Sequence, residues 1–213
     1  ENNFPSTGAT IFALKNNTNY IFGVIAQILY VGAQIMCWTY IYQYAEAISI
    51  DAVTAGYYQM IAFVLFIIGR AIGTYLLKHT NPGKLLLYFA ILSIALIQGT
   101  IFITGIVGLY ALVGVSFFMS IMFPTIYGVA LDDLTEDQSK IGSAGLVMAI
   151  VGGALMPKLQ GLIIDAGGNG VDDIKILGVS EVNFSFTLPL ICFLFIAWYG
   201  LKVFKNASQK NNV

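Results

Sequence analysis

Tyr20 to Tyr42 reads YIFGVIAQILYVGAQIMCWTYIY, a stretch without one charged side chain. A helix rises about 1.5 Å per residue and the hydrocarbon core of a bilayer is about 30 Å thick, so roughly 20 apolar residues are needed to cross it. The stretch meets that length and reads as a transmembrane helix. Its polar members are ordered. Tyr30, Gln34, Trp38 and Tyr42 recur every four residues, and Gln27 lies seven before Gln34. That spacing places all five along one helix face. An amide in hydrocarbon must find hydrogen-bonding partners. Gln27 and Gln34 offer donors and an acceptor that suit sugar hydroxyls, and the rings of Tyr30, Trp38 and Tyr42 can cover the apolar C–H face of a pyranose. The same amides could instead bond to neighbouring helices, and Tyr42, near the helix end, could anchor at the membrane interface.

Outward from this stretch the pattern repeats. Spans are expected at 20–43, 55–77, 85–104, 107–131, 142–164 and 183–204, which makes an all-α membrane protein of six transmembrane helices. Between them fall Asp51, Asn81-Pro82-Gly83, Gly105 and Gly108, the polar run Asp132 to Lys140, and Gly167-Gly168-Asn169-Gly170 with Asp172-Asp173, all helix-ending or turn signals. Composition agrees: of 213 residues 58% are hydrophobic and 10% charged, against about 25% charged in soluble domains. Apolar runs return from Tyr20 to Phe204, which excludes a signal peptide as their source. A net charge of −1 gives no reason to expect a nucleic-acid partner. Cys37 and Cys192 sit within apolar runs and read as buried small hydrophobes.

Orientation follows from Lys and Arg, which concentrate in cytoplasmic loops. One side carries Lys15, Arg70, Lys78, Lys84, Lys140, Lys202, Lys205 and Lys210, while the other carries Lys175, with Lys158 left inside a span. Both termini are expected to be cytoplasmic, in a multi-pass protein of the plasma (inner) membrane. Residues 1–19 read as a cytoplasmic interdomain linker with a short amphipathic stretch from Thr10 to Lys15, residues 20–204 as the six-helix unit, and residues 205–213 as a cytoplasmic tail. Asn-x-Ser/Thr triplets at Asn16, Asn183 and Asn206 are disregarded on this topology.

The carboxylates are Glu1, Glu46, Asp51, Asp132, Asp133, Glu136, Asp137, Asp165, Asp172, Asp173 and Glu181, in loops or at helix ends. A proton-coupled carrier needs an ionisable group buried near its pathway, and these spans supply none at mid-depth. His79, the single histidine, reads as solvated. With two scattered cysteines there is no zinc set and no nucleophile–base pair. No enzyme, metal or cofactor is expected.

The fourth span carries Ser116, Ser120, Phe123, Pro124 and Tyr127 at three- and four-residue steps. Pro124 removes a backbone donor and is expected to kink the helix over a cavity. The fifth contains Ala149, Gly152, Gly153, Pro157 and Gly161, so its backbone can approach a neighbour closely and it is a candidate broken or moving helix. Lys158 lies about 10 Å from the outer end, near enough to snorkel. Gly69 and Gly73 give the second span a close-contact face with Arg70 inside it.

These pieces resemble the carboxy-terminal half of a major facilitator superfamily transporter of the L-fucose:proton symporter family, which includes glucose/galactose permeases. Ala26-Gln27 with Tyr30-Val31-Gly32-Ala33-Gln34 and Cys37-Trp38 is similar to that family's seventh helix. Gly69-Arg70-x-x-Gly73-Thr74 resembles the end of its eighth, and Met119-Ser120-Ile121 with Phe123-Pro124-Thr125-Ile126-Tyr127 its tenth. Val147-Met148, Gly152-Gly153 and Pro157-x-x-Gln160-Gly161 resemble its eleventh; Lys158 directly after Pro157 is a departure. The resemblance implies a twelve-helix carrier of two halves that rocks around a central sugar, with proton-coupling carboxylates in a missing amino-terminal half. The partners implied are a monosaccharide (L-fucose, glucose or galactose class), a proton, that half and the lipid bilayer. Gln34, Trp38, Gln27, Tyr30 and Tyr42 would contact sugar, Ser120 and Tyr127 would form the opposite wall, and Gly69, Arg70, Gly73, Pro124, Gly153 and Pro157 would serve conformational or packing roles. The alternatives are a facilitator or exporter of another polar solute, and a six-helix interaction domain that dimerises through its glycine faces.

Overall fold

Short polar residues start the helices. Asn17 accepts the N–H of Tyr20 at 3.0 Å, Asp51 those of Val53 and Thr54 at 3.0 and 3.1 Å, and Asn81 that of Lys84 at 3.2 Å. Thr135 and Gln138 form a reciprocal capping box. Each satisfies N–H groups that have no intrahelical partner. The structure, a computed structural model, describes residues 7–168, 170 and 174–210. Its helices are α1 (Thr7–Asn16), α2 (Thr18–Thr39), α3 (Ile41–Ala47), α4 (Ala52–Leu77), α5 (Pro82–Phe102), α6 (Ile106–Met119), α7 (Met122–Leu131), α8 (Glu136–Met148), α9 (Gly152–Ile164), α10 (Glu181–Ser185) and α11 (Thr187–Lys210). Among the described residues they make six segments long and apolar enough to cross a membrane: α2, α4, α5, α6–α7, α8–α9 and α10–α11. The fold is the all-α, six-span bundle that the sequence implies.

α2 lies against α11 and α9 with α7 beside it, while α5 joins α6 and α11 behind and α4 rests on α6. Tyr30, Met36, Leu86, Ile97, Leu112, Phe193 and Tyr199 fill the centre. Lipid is as apolar as these side chains, so close packing rather than escape from water holds the helices together. In α4 the buried residues are Ala55, Ala62, Gly69 and Gly73, a single small-residue stripe. Much of the rest of α4 is apolar and exposed, as at Val53, Ile67 and Tyr75. A methyl on Gly69 would strike the Phe117 carbonyl oxygen, and one on Gly73 would come within 3.0 Å of the Ile121 side chain. The close-contact face is therefore used inside the bundle.

Some details differ from the sequence expectation. The first span ends at Thr39 and turns at Tyr40 into α3, whereas 20–43 reads as one helix. No breaker marks the turn; the Tyr40 hydroxyl donates to the Pro157 carbonyl at 2.7 Å, a contact remote in sequence. Between the fifth and sixth spans lies a hairpin, β1 (Lys175–Ile176) and β2 (Val179–Ser180). Leu177 and Gly178 turn it with φ of 52° and 87°, the left-handed pair of a tight hairpin turn. Strands of two residues are too short to show alternation. The Thr10–Lys15 stretch falls within α1, which packs on α8. α11 runs on into the expected tail as far as Lys210. Residues 1–6, Asn169, Asp172, Asp173 and 211–213, on which parts of the expected linker, acidic loop and tail fall, lie outside the described residues.

Candidate functional site

The amide and aromatic face of α2 meets the broken fourth span. Tyr30 is fully buried and donates its hydroxyl to the Met119 carbonyl, the last residue of α6, at 3.0 Å. Its ring meets Phe123 edge-on at 6.1 Å, and Phe123 stacks on Tyr127 at 6.4 Å. Two turns further along α2, the half-buried Trp38 indole donates to Ser116 Oγ at 3.2 Å. Phe63 and Phe66 of α4 box the same indole edge-on at 4.9 and 5.2 Å. Gln34 lies between Tyr30 and Trp38, half-buried. Gln27 is fully buried, and neither its Nε2 nor its Oε1 has a hydrogen-bond partner. An amide held without partners in a packed interior is costly, and a polar ligand or water is the natural complement to such a group.

The remaining expected residues stand apart from this seam. Ser120 is fully buried and donates to the Phe117 carbonyl at 2.7 Å, directly under Gly69. Tyr42 lies on α3 beyond the turn at Tyr40, exposed, with its hydroxyl near Gly56 of α4. Arg70 is exposed beside buried Gly69, and Lys158 is exposed on α9.

The breaks have local causes. Pro124 has no N–H to offer Ser120, and the fourth span opens at Ser120 and Ile121, one turn before it. At the break Tyr30 donates to the Met119 carbonyl, and the Ile121 carbonyl accepts the Thr125 hydroxyl at 2.7 Å beside the ordinary helical N–H bond from Thr125 at 3.2 Å. The fifth span tightens into a 3-10 turn at Ala149–Val151 before Gly152 and Gly153. A side chain on Gly152 would run into the Ile28 carbonyl of α2, and one on Gly153 would press Val31 and Ile35 at 3.1 and 3.0 Å. The start of α9 thus lies close against α2, on backbone at Gly152 and on side chains at Gly153.

Sequence reasoning missed the polar cluster at the far end of the bundle. Asn183 is buried; its Nδ2 donates to the Thr100 carbonyl at 2.9 Å and its Oδ1 accepts from Ser180 Oγ at 2.7 Å. The Tyr44 hydroxyl beside it donates to the Ile103 carbonyl at 3.1 Å. An Asn at the start of an apolar run was the available signal, and its burial also rules out glycosylation in the folded state. Glu181, next to it, is fully buried in the first turn of α10. Asp51 is held below the usual carboxylate range, chiefly by the Thr54 hydroxyl. Among the described residues no three His, Cys, Asp or Glu gather as metal ligands, and Cys37 and Cys192 are buried free thiols. A cleft of about 650 Å3 opens at the α2 N-terminus, lined by Asn19, Asp132, Asp133, Asn206 and Gln209. It does not include Gln34 or Trp38.

No protein-family model matches the chain. It is 51% identical over 192 residues to the L-fucose-proton symporter of Haemophilus influenzae, covering 90% of this chain and 43% of that protein. With the L-fucose-proton symporter of Escherichia coli it shares 39% identity over 167 residues, 77% of this chain and 38% of the relative. The glucose/galactose transporter of Brucella abortus is 30% identical over 184 residues, 85% and 41% of the two chains. The crystal structure of the E. coli fucose:proton symporter superposes with a TM-score of 0.84 at 34% identity, over 93% of this chain and 46% of that one. The chain thus spans less than half the length of the relatives it matches. Six packed spans, with the fourth and fifth broken, are half of a major facilitator superfamily transporter fold. Within that superfamily the chain belongs to the family of L-fucose:proton symporters and glucose/galactose transporters, as the carboxy-terminal half of the family's fold.

Proposed function

We propose that the chain works as the carboxy-terminal half of a monosaccharide:proton symporter that alternates between inward-open and outward-open states, and that the half shown holds sugar. The observation that carries this reading is the seam on α2: half-buried Gln34 lies in the chain between Tyr30 and Trp38, whose hydroxyl and indole reach Met119 and Ser116 of α6. Amide and indole side by side are the chemistry that holds a sugar by its hydroxyls and its apolar face. Relatives named as L-fucose-proton symporters and glucose/galactose transporters support the substrate class. Proton coupling then falls to carboxylates of an amino-terminal half, since the described acids cluster at helix ends. In this reading residues 1–19 enter from that half, residues 205–213 form a tail, and both termini face the cytoplasm at the inner membrane.

Gln34 and Trp38 bind the sugar, and Tyr127, stacked on Phe123, lines the opposite wall. Gln27, Tyr30 and Ser120 act from beneath, Tyr42 stands at the rim, and Gly69, Arg70, Gly73, Pro124, Gly153 and Pro157 serve the rocking contacts. In the full-length carrier, Gln34→Ala is expected to weaken sugar affinity in counterflow by about 3- to 10-fold, the worth of one hydrogen bond. Unchanged affinity would remove Gln34 from the site. Gly69, Gly73, Gly152 and Gly153 each meet a neighbouring helix within the bundle, which speaks against the alternative of dimerisation through them.

A further inference from the structure

The α2 N-terminus and the end of α11 together build a basic, aromatic groove apart from the α2 seam. Lys202 Nζ sits 4.0 Å from the centre of the Phe22 ring and 5.7 Å from that of Trp198. Phe22 and Trp198 meet edge-on at 4.9 Å, with Phe195 against both. Aromatic faces hold an ammonium from one side by cation–π attraction and leave its other N–H donors free. A groove of about 280 Å3 runs from there along α11, lined by Trp198, Leu201, Lys202, Lys205, Asn206 and Gln209. These recur every three or four residues and so share one face of the helix. Neither lysine has an ion-pair partner among the described residues; the ion pairs present join Lys140 to Glu136 and Asp137. Asp132 and Asp133 line the neighbouring cleft, on the far side of Asn206 and Gln209.

The groove lies where the last apolar run ends, with exposed Trp198 and Leu201 on the membrane side and exposed Lys205 and Asn206 beyond. This is the depth of phospholipid headgroups. We propose that it binds one anionic phospholipid of the adjacent leaflet, a phosphatidylglycerol. Its phosphate lies between Lys202 and Lys205, its glycerol hydroxyls meet the Asn206 and Gln209 amides, and an acyl chain runs along Trp198 and Leu201. Basic residues at this boundary attract anionic lipid, and the aromatic platform under Lys202 fixes one of the two cations in place.

The test uses the full-length carrier, delipidated in neutral detergent, with native mass spectrometry and thermal midpoints read as phosphatidylglycerol or phosphatidylcholine of equal chain length is added. Phosphatidylglycerol is expected to bind at least 5-fold more tightly and to raise the midpoint further. The pair Lys202→Gln and Lys205→Gln removes that preference and leaves phosphatidylcholine binding unchanged, while Lys202→Arg with Lys205→Arg keeps it. Equal binding of the two lipids, a preference that survives the Gln pair, or its loss in the Arg pair would overturn the proposal. So would an equal midpoint shift from inorganic phosphate alone, which would mark a site for free anions.

Discussion

Asn183 donates to the Thr100 carbonyl at the end of α5 and accepts from the Ser180 hydroxyl that caps α10. Asn183→Leu keeps the branching of the side chain and strands the Thr100 carbonyl, at an expected cost of about 1–3 kcal/mol, read as a lower thermal midpoint in detergent. Glycines give a sharper contrast. Gly69→Ala drives a methyl into the Phe117 carbonyl, which is backbone and cannot turn aside, whereas Gly73→Ala meets the Ile121 side chain at 3.0 Å, which can. The midpoint of Gly69→Ala is expected to fall clearly further; equal falls would show that α4 does not rest on α6 as described. Asp51 supplies a pH signature. Its folded carboxyl titrates below its unfolded value, so its contribution is present above the unfolded pKa, about 3.9, and is lost as pH falls through the folded one. Asp51→Asn should therefore flatten the acid limb of the stability profile and leave the neutral region's slope unchanged.

At the scale of elements, Pro124 and the turn at Tyr40 are the two informative breaks. Pro124→Ala restores an N–H for the Ser120 carbonyl. It is expected to hold or raise the thermal midpoint while slowing transport, because the fourth span straightens; a variant that transports at the parent rate would show that the break has no part in the cycle. Pro124 made the first break legible in sequence, since a missing donor is a local property. The turn at Tyr40 was not: no Gly or Pro marks it, and the contact made there, from the Tyr40 hydroxyl to the Pro157 carbonyl, joins residues 117 positions apart. The same division explains the hairpin and the Asn183 cluster: two-residue strands leave no periodic trace, and a buried amide looks like a surface one until its neighbours are known. The α2 stripe lies between these cases. Its spacing reads as putting Gln27, Tyr30, Gln34, Trp38 and Tyr42 along one helix face; the turn at Tyr40 carries Tyr42 onto α3, and spacing alone does not say how deep the other four lie. Packing set that: Gln27 and Tyr30 are enclosed, Gln34 and Trp38 half-open.

For the whole molecule, apolar length and charge placement were enough to count the spans, because a bilayer imposes both on any chain that crosses it. In the proposed reading an amino-terminal half closes the uncovered faces of α4 and α8–α9, and local pattern carries no information about it. Those faces expose Ile67, Tyr75, Met148, Leu155 and Leu162, and the chain spans less than half of its relatives. A carrier whose coupling acids reside in another half should lose coupling when those acids are changed and keep sugar binding; Gln34→Ala should do the reverse. The central claim, proton-coupled monosaccharide transport, is met most directly by loading proteoliposomes of the full-length carrier with buffer, imposing an inward proton gradient and following labelled sugar. The account predicts accumulation above the outside concentration that collapses on adding a protonophore, whereas simple equilibration, indifferent to the gradient, would contradict it.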